Sequence, residues 1–203
     1  MKKLVLFVCM LMTALGMNLQ AIEAPVDKPA PDFSCNDSKG VTHTLSSYKG
    51  KIVVLEWLNH DCPFVKKHYG TGNMQKLQKV YTGRGVIWLS IISSAPGKQG
   101  FCTPDQANDL TRVKNAHPTA VILDPLGTVG KKYDAKTTPH MFIIDKDGIL
   151  VYSGGIDNKR STDPLDVDRA TNYVAKALNE LLAGDEVSTK TSAPYGCSVK
   201  YKK

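Results

Sequence analysis

The chain has 203 residues, 26 lysines and arginines against 19 acidic residues, and a formal charge of +7 scattered along its length apart from the closing "KYKK". That dispersion excludes the basic stripe of a nucleic-acid binder. The length suits one domain with a full core, and five cysteines are too few for a disulfide scaffold.

Lys2 and Lys3 precede an apolar run from Leu4 to about Leu15, and Leu19-Gln20-Ala21 offers a small-residue cleavage site. These are the three regions of a secretory signal peptide over residues 1–21. The run is too short for a confident membrane span. The expectation is export to the periplasm or medium, with no stable membrane insertion after cleavage, and a mature chain in a compartment where disulfides persist. Residues 22–183 are read as one domain and 184–203 as a tail.

Pro25, Pro29 and Pro31 make residues 22–31 an extended entry arm. "FSC" predicts a short strand, Asn36 to Gly40 a turn, and "VTHTLSSY" a second strand. "KIVVLEWL" (51–58) is a nearly continuous apolar run rich in β-branched residues, which suits a buried central strand. Pro63 suits the first position of a helix, so Cys62 becomes its N-cap. Gly70 and Gly72 interrupt the helix, which resumes at Asn73 with Met74, Leu77 and Val80 on one face. "GVIWLSII" (85–92) is a second buried strand. Thr103 and Gln106 have capping-box spacing around Pro104, with Ala107, Leu110 and Val113 inward and His117-Pro118 ending the helix. "TAVILD", a short helix near 127–133, and the hairpin "HMFIID"–"KDG"–"ILVYSG" follow. Val167, Ala170, Val174, Leu178 and Leu181 mark a last helix stopped by Gly184, with Asp163, Asp166 and Asp168 as its acidic start. The final residues show no period. Alternating strands and helices that close on a hairpin and a helix predict a mixed α/β sheet with helices on both faces.

The chemistry centres on "LNHDCPFVKKHY" (58–69). A cysteine at the first turn of a helix faces unpaired N–H groups and the positive end of the helix dipole. Lys66, Lys67 and His60 add expected positive charge. Such settings lower a thiol pKa from about 8.5 into the range of roughly 3.5–7.5, and only the thiolate attacks.

"PDFSCNDSKGVTHTLSSYKGKIVVLEWLNHDCPFV" and "KTTPHMFIIDKDGILVYSGGID" resemble the two halves of the thioredoxin-fold redoxins, in the branch of the alkyl hydroperoxide reductase/thiol-specific antioxidant (peroxiredoxin-like) family. The resemblance runs from about Pro31 to Leu182. It implies an α/β thioredoxin-like fold: a central mixed sheet flanked by helices, with an N-terminal strand extension and an irregular C-terminal tail. It also implies a cysteine-dependent oxidoreductase in which Cys62 attacks a peroxide or disulfide. Asn59, Pro63, Thr138 and Pro139 would position the substrate, and the Thr138–Pro139 bond would be cis and face the site.

The chain departs from two familiar patterns. Val65 stands where a Cys-x-x-Cys motif has its second cysteine, and Asn59 and Leu55 replace the threonine and proline of the peroxiredoxin motif. The resolving thiol is therefore expected elsewhere. Cys197 in "APYGCSVKY" is the first candidate: thirteen extended residues beyond Gly184 reach about 45 Å, against a radius of gyration near 16 Å. Cys102 is the runner-up, and Cys35 is expected to pack in the first strand. No cofactor or metal is implied; the expected partners are a peroxide or disulfide and an external thiol reductant. Three alternatives stay open. One is thiol–disulfide exchange without peroxidase activity, another a copper or zinc module using Cys62 with His60 or His140, and the third a non-catalytic redoxin domain.

Overall fold

A computed structural model describes residues 25–202, so the expected signal segment 1–21 lies outside the described residues. A six-stranded sheet is built from β1 (Lys28–Pro29), β4 (Val53–Trp57), β5 (Ile87–Ile92), β6 (Ala120–Leu123), β8 (His140–Ile144) and β9 (Ile149–Gly154), in the order β1-β9-β8-β4-β5-β6. β4, β5 and β6 run parallel, and β8, β9 and β1 are antiparallel additions on the other side. Two further ladders stand apart: β2 (Ser34–Asn36) with β3 (Thr42–Thr44), and β7 (Thr137–Thr138) with β10 (Cys197–Ser198). The entry arm thus contributes an edge strand, β1, rather than only extended chain.

Alternation along the central strands divides the core in two. Val53, Leu55 and Trp57 of β4 pack with Phe142, Ile144 and Tyr133 on one face, under α4 (Thr128–Lys132) and the β2–β3 hairpin. Val54 and Leu58 join Trp88, Met141 and Ile143 on the other. That second face is covered by α1 (Pro63–Gly70), α2 (Asn73–Thr82), α3 (Pro104–Val113) and α5 (Tyr173–Ala183). Because parallel strands buried on both faces need no polar alternation, these segments read as continuous apolar runs.

Local signals explain most boundaries. Gly72 at φ 74° separates α1 from α2 in a left-handed conformation that favours glycine. Thr103 and Gln106 close the capping box of α3 reciprocally. Asp145 receives the N–H groups of Asp147 and Ile149, folding the β8–β9 turn.

Three expectations are corrected. Leu45–Tyr48 is a 3-10 helix, not the end of a strand. α3 stops at Val113, which is 71% exposed, and Val80 is 45% exposed, so neither belongs to the inward face. The last helix begins at Tyr173, capped by Asn172, while Pro164–Asp166 forms a 3-10 turn capped by Asp163. Val167 and Ala170, and the acidic cluster with them, therefore precede the helix instead of opening it. The tail is irregular as expected, yet it is tethered: Thr191 bridges Ser153, and Cys197–Ser198 form β10. Among the described residues no helix is long and apolar enough to cross a membrane.

Candidate active site

β4 delivers the chain to a turn that opens α1. Asn59 holds that turn: its Oδ1 accepts the Asp61 N–H (2.9 Å), its Nδ2 donates to the Gln99 carbonyl (3.4 Å), and its own carbonyl accepts the Cys62 N–H (3.1 Å). The side chain expected to meet a peroxide is thus engaged by backbone at both ends. Pro63 occupies the first helical turn and Cys62 is the N-cap, with φ −68° and ψ 126°. Its Sγ lies 3.0 Å from the Thr138 carbonyl, to which the protonated thiol donates. Thr138–Pro139 is cis. Asn59, Cys62, Pro63, Thr138 and Pro139 therefore meet where α1 faces β7.

Cys197 joins them. β10 runs antiparallel to β7 with Cys197 opposite Thr138 and Ser198 opposite Thr137. Thr138 Oγ1 donates to the Cys197 carbonyl at 3.5 Å. The two cysteine side chains are within hydrogen-bonding reach of each other, although both are free thiols.

Burial raises the energy of a Cys62 thiolate, but hydrogen bonds from the Cys197 thiol and Thr138, with the Val65 N–H, hold its pKa below the ordinary thiol value. Cys197 moves the other way: burial, donation to Cys62 and the neighbouring negative sulfur push it up to about 11. The two shifts oppose each other, so Cys62 is the thiol of the pair that ionises first and Cys197 the one that keeps its proton longer. Cys35 and Cys102 are both raised by burial, with Asp124 and Asp61 respectively adding to it. Cys35 reaches the Leu123 carbonyl, while Cys102 lines a cleft with His60, Asp61 and Lys66. Among the four described thiols, Cys62 alone is lowered.

The expected cationic surroundings of Cys62 differ in kind. Burial, then Lys114, lowers His60 to about 4, so it is neutral near pH 7. Lys67 is buried, donates to the Lys159 carbonyl and lies 5.4 Å over the Tyr195 ring. Donor hydrogen bonds, rather than these two side chains, hold the Cys62 thiol pKa down. The His140 ring lies 4.3 Å from that of Phe142 at a tilt of 41°, on the face opposite the core that contains Cys62. Among the described residues no group of three His, Cys, Asp or Glu side chains is arranged to hold a metal ion.

Two residues escaped sequence reasoning. Glu56, fully buried in β4, accepts from Tyr69, Gln78, Trp88 and Ser90 at 2.8–3.1 Å, and ties α1 and α2 to β5. A lone acid inside "KIVVLEWL" was the available signal, since a buried carboxylate demands donors. Tyr195, buried just before Cys197, donates to Asp157 at 2.5 Å and meets His68 at 3.2 Å. Nothing in an aperiodic tail announces it.

Comparison with known proteins agrees with this geometry. Residues 26–153 match the AhpC/TSA family. The thioredoxin-like protein YneN of Bacillus subtilis (strain 168) is 25% identical over 142 residues, 68% of this chain and 78% of that protein. An uncharacterized conserved protein from Geobacillus kaustophilus superposes with a TM-score of 0.78 at 28% identity, covering 89% of this chain and 94% of its own. The exposed lipoprotein thioredoxin of Streptococcus pneumoniae strain TIGR4 shares the fold at a TM-score of 0.53 and 23% identity, over 74% of this chain and 100% of that one. With its mixed sheet, its thiol at a helix start and its cis proline opposite, the chain belongs to the AhpC/TSA family of thioredoxin-fold thiol oxidoreductases.

Proposed function

We propose that this protein is an exported, cysteine-dependent oxidoreductase of the peroxiredoxin-like type, with Cys62 as nucleophile and Cys197 as resolving thiol. The observation that supports this most is the register placing Cys197 opposite Thr138, whose carbonyl meets the Cys62 sulfur. The signal-like sequence of residues 1–21 supports export.

With a hydroperoxide, the Cys62 thiolate attacks one oxygen and the O–O bond breaks. The alcohol or water leaves after taking a proton, and Cys62 becomes a sulfenic acid. The Cys197 sulfur then attacks the Cys62 sulfur; its thiol proton and the departing hydroxide leave as water, and an intramolecular disulfide remains. With a small disulfide the first step instead gives a mixed disulfide and releases one thiolate, and Cys197 expels the second. An external dithiol supplies two electrons and two protons to restore the reduced pair. Asn59 and Pro63 fix the turn and helix start that aim Cys62, and Thr138 and Pro139 present the facing strand end.

The test is oxidation of the reduced protein with one equivalent of hydrogen peroxide, followed by blocking of free thiols and mass spectrometry of unreduced peptides. A Cys62–Cys197 cross-link is expected. Cys62→Ser abolishes peroxide consumption, and Cys197→Ser leaves a sulfenic acid that dimedone captures. Consumption that persists in Cys62→Ser, or a cross-link that joins Cys62 to Cys102, overturns the assignment. Turnover with disulfides and none with peroxide would shift it to thiol–disulfide exchange.

A further inference from the structure

Cys62 has 0% of its surface exposed, yet it lies at the start of a helix next to a strand end, where a redox thiol is ordinarily open to partners. What closes it is the tail. Gly196, at φ 138°, is pressed so closely on β7 that a Cβ there would stand 2.0 Å from the Thr138 carbonyl oxygen and 2.7 Å from its carbon. That oxygen is the one the Cys62 sulfur meets. Glycine backbone, with Cys197 after it, fills the space an extended segment of another molecule would need in order to pair with β7.

The covering segment is fastened on both sides of the sulfur. Upstream, Tyr195 donates to Asp157 and its ring meets Phe64 of α1 edge-on at 5.8 Å. Downstream, the Val199 N–H donates to the Lys136 carbonyl, the Ala95 N–H to the Lys200 carbonyl, and the Tyr201 hydroxyl to the Ala135 carbonyl. These bonds span the tail on either side of Cys197, so opening the strand edge requires several of them to break together.

We propose that residues 192–201 form a strap that makes Cys62 selective for small oxidants, such as hydrogen peroxide and small hydroperoxides, over the disulfides of proteins and bulky aromatic disulfides, with Gly196 as the specificity-determining residue. The proposal rests on the reading of Cys62 as the redox nucleophile. With Cys62 fully covered, a hydroperoxide also needs an opening, but only a local one wide enough for two oxygen atoms beside the sulfur. A bulky disulfide needs the strap lifted, so its rate is the intrinsic rate multiplied by the fraction of molecules with an open strap.

The experiment compares the Cys62-dependent rates with hydrogen peroxide and with 5,5′-dithiobis(2-nitrobenzoate), using Cys197→Ser as the common background and Cys62→Ser/Cys197→Ser to subtract Cys35 and Cys102. Gly196→Ala overpacks the strand against Thr138 and lifts the strap. It is expected to raise the ratio of the aromatic-disulfide rate to the peroxide rate by about tenfold or more. Tyr195→Phe retains the ring and loses the bond to Asp157; it is expected to move the ratio in the same direction by a smaller factor, and serves if the alanine variant does not fold. An unchanged ratio in the folded variants overturns the strap while leaving Cys62 as nucleophile. Absence of any Cys62-dependent reaction with peroxide overturns the nucleophile and the strap together.

Discussion

Replacing Cys197 by alanine tests the opposed shifts of the two thiols directly. In the reduced protein the Cys197 thiol donates to the Cys62 sulfur, while burial opposes the Cys62 charge and remains in the variant. A hydrogen bond to a charged acceptor contributes about 1.5 kcal/mol, near the lower end for such bonds because S–H is a weak donor. That converts to about one pKa unit, so the Cys62 thiolate population below its pKa falls roughly tenfold. Cys197→Ser leaves a hydroxyl donor at the same place and is expected to recover most of the loss. The assay is the pH dependence of iodoacetamide alkylation at Cys62, followed on the isolated peptide. Linkage gives a second readout from the same pair. The lowered Cys62 contributes stability above the unfolded thiol value and loses it as pH falls through its folded value. Cys197 contributes below the unfolded thiol value and loses it as pH rises through about 11. If Cys62 in Cys197→Ala titrates at or below its wild-type position, the tail thiol is not what stabilises the anion.

Acid should weaken the fold steeply. Burial keeps His60, His68 and His140 neutral down to about 4, 3 and 3, whereas the unfolded chain protonates near 6.5. Unfolding near pH 5 therefore takes up close to three protons, about 4 kcal/mol of stability per pH unit. Glu56, raised by burial, acts in the opposite sense and offsets at most one proton, leaving about 3 kcal/mol per unit. Denaturant midpoints measured between about pH 6 and pH 5 check this; a slope below that of one proton contradicts it. At Glu56, leucine leaves four buried donors without an acceptor and is expected to cost about 3–5 kcal/mol. Glutamine, whose carbonyl can serve Gln78, Trp88 and Ser90 while Tyr69 turns to accept, should stay within about 1–2 kcal/mol of wild type. Equal losses in urea titrations of the two variants would refute that account. Thr103→Ala removes one arm of the α3 capping box and should lower stability by about 1 kcal/mol without altering the alkylation profile of Cys62.

Signals confined to a few neighbouring residues were legible in the sequence. Pro63 after Cys62 fixed the start of α1, Thr103 with Gln106 that of α3, and "DKDG" the β8–β9 turn, because each acts through bonds between near neighbours. The resemblance supplied the cis Thr138–Pro139 bond. Where apolar spacing stood alone it misled: Val167 and Ala170 share the period of α5, but Asn172 caps the helix after them. β10 has two residues and no period to read; it exists because Gly196 lets one backbone approach another. The Glu56 cluster was hidden for a related reason, since its donors come from residues 13 to 34 positions away.

In the proposed cycle, the unequal exposure of the two sulfurs sets the direction in which a Cys62–Cys197 disulfide would be repaired. Cys62 is sealed in, whereas Cys197 is half-buried. Once the two are bonded, an incoming thiol meets the tail's sulfur, and the sulfur it displaces is the more acidic of the pair and so departs more readily. The transient adduct with the electron donor would then be carried by Cys197, while the sulfur at the helix start leaves as the thiolate in the same step.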